Sequence, residues 1–209
     1  MSLSINPAKN WLEQAHGEYV FSRRVRVLSQ QLAALLPPAA RVLDVGCGDG
    51  SIAALIEQQR SDVTISGIDV LVRPQTRIPV TEFDGLTIPY DDGQFDVVIF
   101  VDVLHHTHDP LILLREAKRV ARTAVVLKDH TRDGWLAGQT LRFMDYVGNA
   151  HHGVALPYNY WSEREWRAAF TALALRPSFW KQDLQLYPWP ANLIFERSLH
   201  FIARLECSS

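Results

Sequence analysis

The chain has 209 residues, enough for one α/β domain and too few for two well-buried ones. Hydrophobic residues make up 47% of the chain and charged residues 21%, which is ordinary for a globular protein with a sizeable core. The net charge of -2 argues against a nucleic-acid partner, and no apolar run is long enough for an integral membrane span.

The cysteines and the N-terminal segment predict a cytoplasmic protein. Cys47 lies in a glycine-rich turn and Cys207 lies near the C-terminus, so a disulfide framework is not expected. Free thiols suit a reducing compartment. Residues 1–19 carry charge and lack the apolar core of a signal peptide.

The first elements in chain order are helical, and a strand follows them. Residues 1–38 predict an N-terminal helical cap that ends before two consecutive prolines. Residues 39–209 then predict one Rossmann-like domain. Its first elements are a buried strand over residues 42–45, a helix over 51–59 and a second strand over 63–68.

Strands and helices alternate along the rest of the chain. The predicted strands cover residues 96–101, 124–128, 179–186 and 198–205. One helix begins at Asp109-Pro110, and another begins at the capping box Ser162-Glu163-Arg164-Glu165. The nearly continuous apolar run at residues 96–101 is typical of a parallel strand that is covered on both faces. The alternation therefore predicts a doubly wound α/β sheet.

The turn after the first strand predicts a ligand-binding loop. Its glycines, Gly46 and Gly48, allow close approach of the backbone to a ligand. The G-x-G-x-x-G pattern of dinucleotide-binding enzymes would place its third glycine at Ser51, so that pattern is incomplete. Asp44 and Asp49 flank the turn, where carboxylates would repel a pyrophosphate and attract a cation.

A second acidic signal follows at the end of the second predicted strand. Asp69 lies 23 positions after Gly46, where a carboxylate can accept two hydrogen bonds from a ribose diol. Enzymes that use NAD place an acidic residue similarly. Asp69 alone therefore does not identify the cofactor.

These segments together resemble a known family. Residues 42–50, Val-Leu-Asp-Val-Gly-Cys-Gly-Asp-Gly, are similar to the first motif of class I S-adenosylmethionine-dependent methyltransferases. Residues 83–96 and 96–106 resemble later motifs of that family in the same order. The resemblance covers about residues 40–130 and implies a small-molecule methyltransferase. Its fold would be a mostly parallel seven-stranded sheet with helices on both faces and an antiparallel C-terminal strand.

The resemblance also implies the cofactor site. S-adenosylmethionine would have its ammonium near Asp44, its ribose near Asp69 and its adenine near Asp84. The cofactor-binding residues that it implies are Asp44, Gly46, Cys47, Gly48, Asp69, Val70, Asp84, Gly85, Val101, Asp102 and His105.

Methyl transfer is an in-line displacement, and a general base assists it when the acceptor is a hydroxyl. The histidines that could serve are His105, His106, His108, His130, His151 and His152, among which we select His106, His151 and His152 as catalytic candidates. Packing or capping is the alternative role for each of them. No metal is expected, because adjacent histidines do not easily share one ion and Asp109 is explained as a helix cap.

Residues 129–161 form an unusually long aromatic connection, which predicts a lid over the acceptor. The substrate and lid candidates are His130, Phe143, Tyr146, Tyr158 and Tyr160. Packing on the sheet edge, or a face of a homodimer, is the alternative interpretation of this segment.

The leading hypothesis is methyl transfer to a small, partly apolar acceptor at oxygen, nitrogen or carbon. A non-catalytic or regulatory S-adenosylmethionine-binding protein is the main alternative. A Rossmann oxidoreductase is a further alternative, which Asp44, Asp49 and the missing third glycine disfavour.

Overall fold

The computed structural model describes residues 23–149 and 157–207. Its strands are β1 (Arg41–Val45), β2 (Thr64–Asp69), β3 (Val80–Glu82), β4 (Phe95–Val101), β5 (Ala121–His130), β6 (Leu175–Lys181) and β7 (His200–Cys207). They form one seven-stranded sheet in the order β3-β2-β1-β4-β5-β7-β6. Strands β1 to β5 pair in parallel, and β7 runs antiparallel to β5 and β6. The predicted sheet with an antiparallel C-terminal strand is confirmed.

Helices cover both faces of this sheet. They are α1 (residues 23–33), α2 (Ser51–Gln59), α3 (Pro110–Val120), α4 (Ala137–Asn149), α5 (Glu163–Ala172) and the short α6 (Asn192–Phe195), with a 3-10 helix at Leu104–His106. Helices α1 and α2 pack on one face, and α3 and α5 pack on the other. None of these helices has the length and apolar composition that crossing a bilayer requires.

The central strands are apolar along almost their whole length because both of their faces are covered. In β1, four consecutive residues are buried, and in β4 five of the seven residues are buried. The parallel arrangement brings the carboxyl ends of β1, β2, β4 and β5 to one edge of the sheet. The loops that follow these strands hold most of the predicted site residues.

Local capping determines where two of the helices begin. The Asp109 side chain accepts a hydrogen bond from the Leu111 amide at 2.9 Å, and Pro110 occupies the first helical position of α3. The Ser162 and Glu165 side chains form the reciprocal capping box of α5. Both helix starts are as the sequence predicts.

Strand β6 differs from its prediction. It begins at Leu175 and ends at Lys181, whereas the sequence indicates a strand over residues 179–186. Leu184 and Leu186 are buried, but their backbone amides donate to the Glu196 carboxylate at 3.2 and 3.0 Å instead of to a neighbouring strand. The apolar residues that suggested a strand therefore belong to an extended segment without strand pairing.

The predicted lid segment contains helix α4. One side of α4 packs against the protein through Ala137 and Leu141, which form a small buried cluster with Tyr160 and Leu199. His151 and His152 lie outside the described residues. The first part of the predicted N-terminal cap, residues 1–22, also lies outside them.

Candidate active site

The glycine loop connects β1 to α2 and has a backbone that only glycine adopts easily. Gly46, Gly48 and Gly50 have φ angles of 72°, 60° and 75°. A Cβ added at Gly46 would lie 2.6 Å from Cγ2 of Val103, so a side chain there would clash. A Cβ at Gly48 would meet nothing within 4 Å. The loop therefore packs tightly at Gly46 and has open space beside the Cα atom of Gly48.

Asp69, at the end of β2, holds this loop in place. Its Oδ2 accepts a hydrogen bond from the Gly48 amide at 2.8 Å, and its Oδ1 accepts one from the Leu71 amide at 2.9 Å. One carboxylate thus joins the ends of β1 and β2. A further acceptor lone pair on each oxygen remains available for a ligand.

Asp44, near the end of β1, is a buried carboxylic acid with an unusual proton affinity. This residue is only 3% exposed. Burial raises the pKa of Asp44, and the negative charge of Asp69 raises it further, to about 7. A buried carboxylate of this kind is suited to a cationic ligand.

The predicted adenine end lies at the next turn along the same edge. The Asp84 Oδ1 accepts hydrogen bonds from the Leu86 and Thr87 amides, each at 2.7 Å. Gly85 lies against Val70, because a Cβ at Gly85 would be 3.0 Å from Cγ1 of Val70. The Val70 side chain is 55% exposed, which leaves an open apolar surface beside this turn.

Asp102, in the loop after β4, forms partly buried ion pairs. It contacts Lys128 of β5 and Arg24 of α1, and Lys128 also lies 3.1 Å from Nδ1 of His200. Burial alone would raise the pKa of Asp102, but the charges of Lys128 and Arg24 outweigh it and hold this pKa below its usual range. Asp102 is therefore ionised and pairs with two positively charged side chains.

His105 and Asp129 form a buried pair beside this network. The Nδ1 of His105 lies 2.6 Å from Oδ1 of Asp129, which also accepts a hydrogen bond from the His130 amide at 2.8 Å. The other Asp129 oxygen accepts one from the Leu104 amide at 3.1 Å. Burial would lower the pKa of His105, but the charge of Asp129 outweighs this effect and raises it to about 10. The Nε2 of His105 is buried and has no hydrogen-bond partner among the described residues.

His106, Asp145 and Tyr160 complete this cluster. The His106 ring lies 4.1 Å from that of His105 between centroids, and its buried Nδ1 has no hydrogen-bond partner in the described part of the chain. Asp145 of α4 has its Oδ2 3.5 Å from Nε2 of His105 and accepts a hydrogen bond from the Tyr160 hydroxyl. Burial lowers the pKa of His106, and the charge of His105 lowers it further, so the ring is neutral near pH 7.

A cavity of about 330 Å³ joins the glycine loop to the histidine cluster. Its lining includes the loop residues Cys47, Gly48 and Asp49 and the cluster residues His105, His106, His130 and Asp145. Val101 and Asp102 line it as well, together with Arg24, Met144 and Tyr187. The other predicted cofactor residues are not among the lining residues; they are Asp44, Gly46, Asp69, Val70, Asp84 and Gly85. The cavity falls within the size range of small-molecule sites.

The aromatic lid candidates separate into two groups. Tyr160 is buried beside His105, with ring centroids 5.4 Å apart, and belongs to the cluster. Phe143 and Tyr146 are 57% and 63% exposed on the outer side of α4. Tyr158 lies under the Arg142 guanidinium, which is 5.4 Å from its ring centroid. Of the substrate candidates that the structure describes, Tyr160 and His130 are therefore in the cluster.

Sequence analysis did not single out several charged residues that the structure brings into the site. Arg24, Lys128 and Asp145 come from α1, β5 and α4, which are far apart in the chain. The polar run Lys128-Asp129-His130 directly after an apolar strand was an available signal, since such strand ends carry ligand sites. Asp145 could have been found as a carboxylate on the apolar side of an amphipathic helix.

Comparisons with known proteins point to one family. A sequence profile of the family described as "Methyltransferase domain" matches residues 15–187. The chain is 33% identical over 110 residues to 27-O-demethylrifamycin SV methyltransferase of Amycolatopsis mediterranei, a match that covers 46% of this chain and 40% of that protein. It is 30% identical over 94 residues to ubiquinone biosynthesis O-methyltransferase of Pseudomonas aeruginosa, covering 39% of this chain and 40% of that one. The matched regions thus span less than half of these relatives.

Solved structures show the same fold at low sequence identity. The complex between the Haloferax volcanii Trm112 methyltransferase activator and a methyltransferase contains a chain that is 16% identical to this one, with a TM-score of 0.69. The superposition covers 99% of this chain and 100% of that chain.

Proposed function

We propose, from the premise that this chain belongs to the class I S-adenosylmethionine-dependent methyltransferases, that it transfers a methyl group to a small, partly apolar acceptor. The observation that carries the proposal is the cavity between the glycine loop and the histidine cluster. Its two sides have the two properties that the reaction needs. One offers backbone and carboxylates to a cofactor, and the other offers imidazoles to an acceptor.

The loop side suits S-adenosylmethionine. Gly48 leaves the space where a side chain would otherwise project, and Asp44 supplies a buried carboxylate for the ammonium group. Asp69 has acceptor capacity left for the ribose diol, and Val70 offers an apolar surface beside Asp84 and Gly85 for the adenine. When bound, this cofactor supplies a methyl carbon activated by a positively charged sulfur. The chain then has to align the acceptor with it and exclude water.

We assign the acceptor to the side of His105, His106 and Asp145. His106 is neutral near pH 7 because burial lowers its pKa, so a ring nitrogen keeps a lone pair for a proton or a cation. His105 is held in one orientation by Asp129, which leaves its Nε2 directed away from that carboxylate. These groups can position a hydroxyl oxygen and assist its loss of a proton. The names of the two relatives above support an oxygen acceptor for this chain.

The test is turnover of small acceptors by the purified chain. We would incubate it with S-adenosylmethionine and matched phenols, amines and carbon acids, and detect methylated products and S-adenosylhomocysteine by mass spectrometry. Methylation of a phenol or other hydroxyl compound, lost in Asp44→Asn, supports the proposal. Cofactor binding without product from any class would favour the regulatory alternative, and absence of cofactor binding would refute both hypotheses.

A further inference from the structure

Two ring nitrogens and a carboxylate converge on the histidine-lined side of the cavity. His105, His106 and Asp145 each offer one ligand atom, and these atoms all lie within 4.8 Å of one another. The Nε2 of His105 and the Nδ1 of His106 are both buried and lack a hydrogen-bond partner among the described residues. Because buried polar atoms are nearly always hydrogen-bonded, two unpartnered nitrogens in one cluster require an explanation.

The distance between one pair of these atoms fits two ligands of a metal ion better than a hydrogen bond. The 3.5 Å between Nε2 of His105 and Oδ2 of Asp145 exceeds the usual length of a hydrogen bond. It is close to the ~3.4 Å that separates two ligands of a tetrahedral ion when each lies ~2.1 Å from the metal.

We propose that His105, His106 and Asp145 bind one divalent transition-metal cation of the Zn²⁺ class. Two imidazoles and one carboxylate are a donor set that such ions favour, whereas Ca²⁺ and Mg²⁺ prefer oxygen ligands. Adjacency in the sequence does not prevent the two histidines from converging, since they lie on a 3-10 helix with rings inclined at 47°. The proposal therefore departs from the expectation that adjacent histidines do not easily share an ion.

Neighbouring residues already hold the ligands in place. Asp129 lies 2.6 Å from Nδ1 of His105, so its carboxylate fixes the ring and leaves Nε2 as the atom that would bind the ion. Because the pKa of His105 is raised to about 10 without a metal, binding would displace the proton on Nε2. Carboxylates bonded to the far nitrogen of a histidine ligand are typical of metal sites. The Tyr160 hydroxyl donates a hydrogen bond to the Asp145 carboxylate and so orients this ligand in the same way.

A second set of potential ligands, Asp102, His105 and His130, is less suitable. It would use Nδ1 of His105, which lies 3.4 Å from Nδ1 of His130 but is already engaged by Asp129. Asp102 is paired with Lys128 and Arg24, whose positive charges would oppose a cation. Asp145 also interacts with the charge of Arg24, but its ion pair among the described residues is with His105.

The metal site restricts the acceptor to compounds with an ionisable hydroxyl group, a conclusion that rests on the proposed function. Three protein ligands leave an open position, where the oxygen of a phenol or enol can bind. The cation lowers the pKa of that hydroxyl, so its proton passes to solvent and the oxygen attacks as an anion. The new bond forms between oxygen and the methyl carbon, and the electrons of the carbon–sulfur bond remain on sulfur. His106 then acts as a ligand and not as the base.

The experiment is a metal titration of the full chain after removal of metals with a chelator. Zn²⁺ would be titrated by calorimetry without cofactor or acceptor, and Co²⁺ by visible absorption, which reports its coordination geometry. We expect one saturable site per chain and the intense bands of tetrahedral or five-coordinate cobalt. His106→Gln and Asp145→Asn should each weaken Zn²⁺ binding at least ~10-fold. His108→Ala, at an exposed histidine in the same loop, should bind as the wild type does.

Absence of a saturable site in the wild type, or unchanged affinity in both folded variants, would overturn the metal site. Circular dichroism and S-adenosylhomocysteine binding establish that each variant is folded. The two substitutions lie on separate elements, so the test still works if one of the variants does not fold. Because the titration needs neither cofactor nor acceptor, its result is independent of methyl transfer. Turnover that persists without metal binding would leave the proposed function intact and remove only this inference.

Discussion

Asp44 illustrates how burial changes the chemistry of a single carboxyl group. Its pKa of about 7 comes first from burial and then from the charge of Asp69. A cationic ligand would stabilise the ionised form, because opposite charges attract strongly where water is excluded. Cofactor binding and proton loss at Asp44 should therefore be coupled.

We predict that the affinity for S-adenosylmethionine falls as the pH drops below about 7. Protonated Asp44 cannot pair with the cofactor ammonium, so affinity should approach a loss of ~10-fold per pH unit well below that pKa. Calorimetry at a series of pH values would measure it. Asp44→Asn is the control and should bind weakly with little pH dependence over this range. Wild-type affinity that does not change with pH would contradict the assignment.

The same carboxyl group should affect the stability of the protein without ligand. Its pKa is raised on folding, so the native state binds the proton more tightly than the unfolded state. The contribution of this raised pKa to the free energy of unfolding is fully present at pH values below ~3.9. It is lost as the pH rises through about 7. We predict that Asp44→Asn is more stable than the wild type at pH 8, by at most ~4 kcal/mol, and that the difference shrinks at pH 5. Urea unfolding at both pH values measures it, and an equal difference at the two would contradict the prediction.

Asp69 has two roles that substitution can separate. We predict that Asp69→Ala weakens cofactor binding by ~1–3 kcal/mol, because hydrogen bonds from both the ribose and the Gly48 amide are lost. Asp69→Asn keeps an amide oxygen for the Gly48 amide and should lose less. Titration calorimetry with S-adenosylhomocysteine compares the two, and an unchanged dissociation constant in folded Asp69→Ala would exclude the ribose contact.

At the scale of elements, the sequence predicts the bounds of a helix correctly where the hydrophobic pattern and the capping residues lie in the same stretch of chain. Helix α2 has the bounds that the sequence predicts, Ser51–Gln59, and α3 and α5 begin at their predicted caps. Strand β6 was misplaced because the apolar residues Leu184 and Leu186 are buried by a distant part of the chain. No local pattern indicates that a carboxylate at position 196 will accept their backbone amides.

Glu196 should therefore be important for stability. Its carboxylate accepts hydrogen bonds from the backbone amides of Leu184, Leu186 and Tyr187. In Glu196→Ala these three amides would lose their hydrogen-bond acceptor. We predict a loss of at least ~2 kcal/mol in the free energy of unfolding, measured with urea. Glu82→Ala is the control, since Glu82 is exposed at the end of β3 and should change stability little. Similar losses in the two variants would contradict this role.

At the scale of the whole molecule, the sheet topology was predictable and the buried charge network was not. Alternating elements and ordered motifs indicate the fold, because each is encoded over a short stretch. The network joins α1, β4, β5 and α4 through Arg24, Asp102, Lys128, Asp129 and Asp145, which share no spacing in the sequence. Only the packing of the helices on the sheet brings these charges together. Sequence analysis therefore named the glycine loop and the histidines that line the cavity, but not Arg24 and Asp145, which also line it.

Because the cavity is lined by residues from α1, the glycine loop, β4, β5 and α4, a bound cofactor should stabilise the entire domain. A ligand that binds only the native state adds ~2.7 kcal/mol at a concentration of 100 times its dissociation constant. For a chain of this size we predict a rise of about 5–11 °C in Tm with S-adenosylhomocysteine, measured by differential scanning calorimetry.

NAD is the matched control for that measurement, since it also has an adenosine but carries a pyrophosphate that Asp44 and Asp49 would repel. It should leave Tm nearly unchanged at the same concentration. An equal rise with both compounds would mean that the loop recognises the shared adenosine and that the two carboxylates do not select the cofactor. A rise with S-adenosylhomocysteine alone would support selection by the two carboxylates, which would attract the ammonium group of the cofactor and repel the pyrophosphate of NAD.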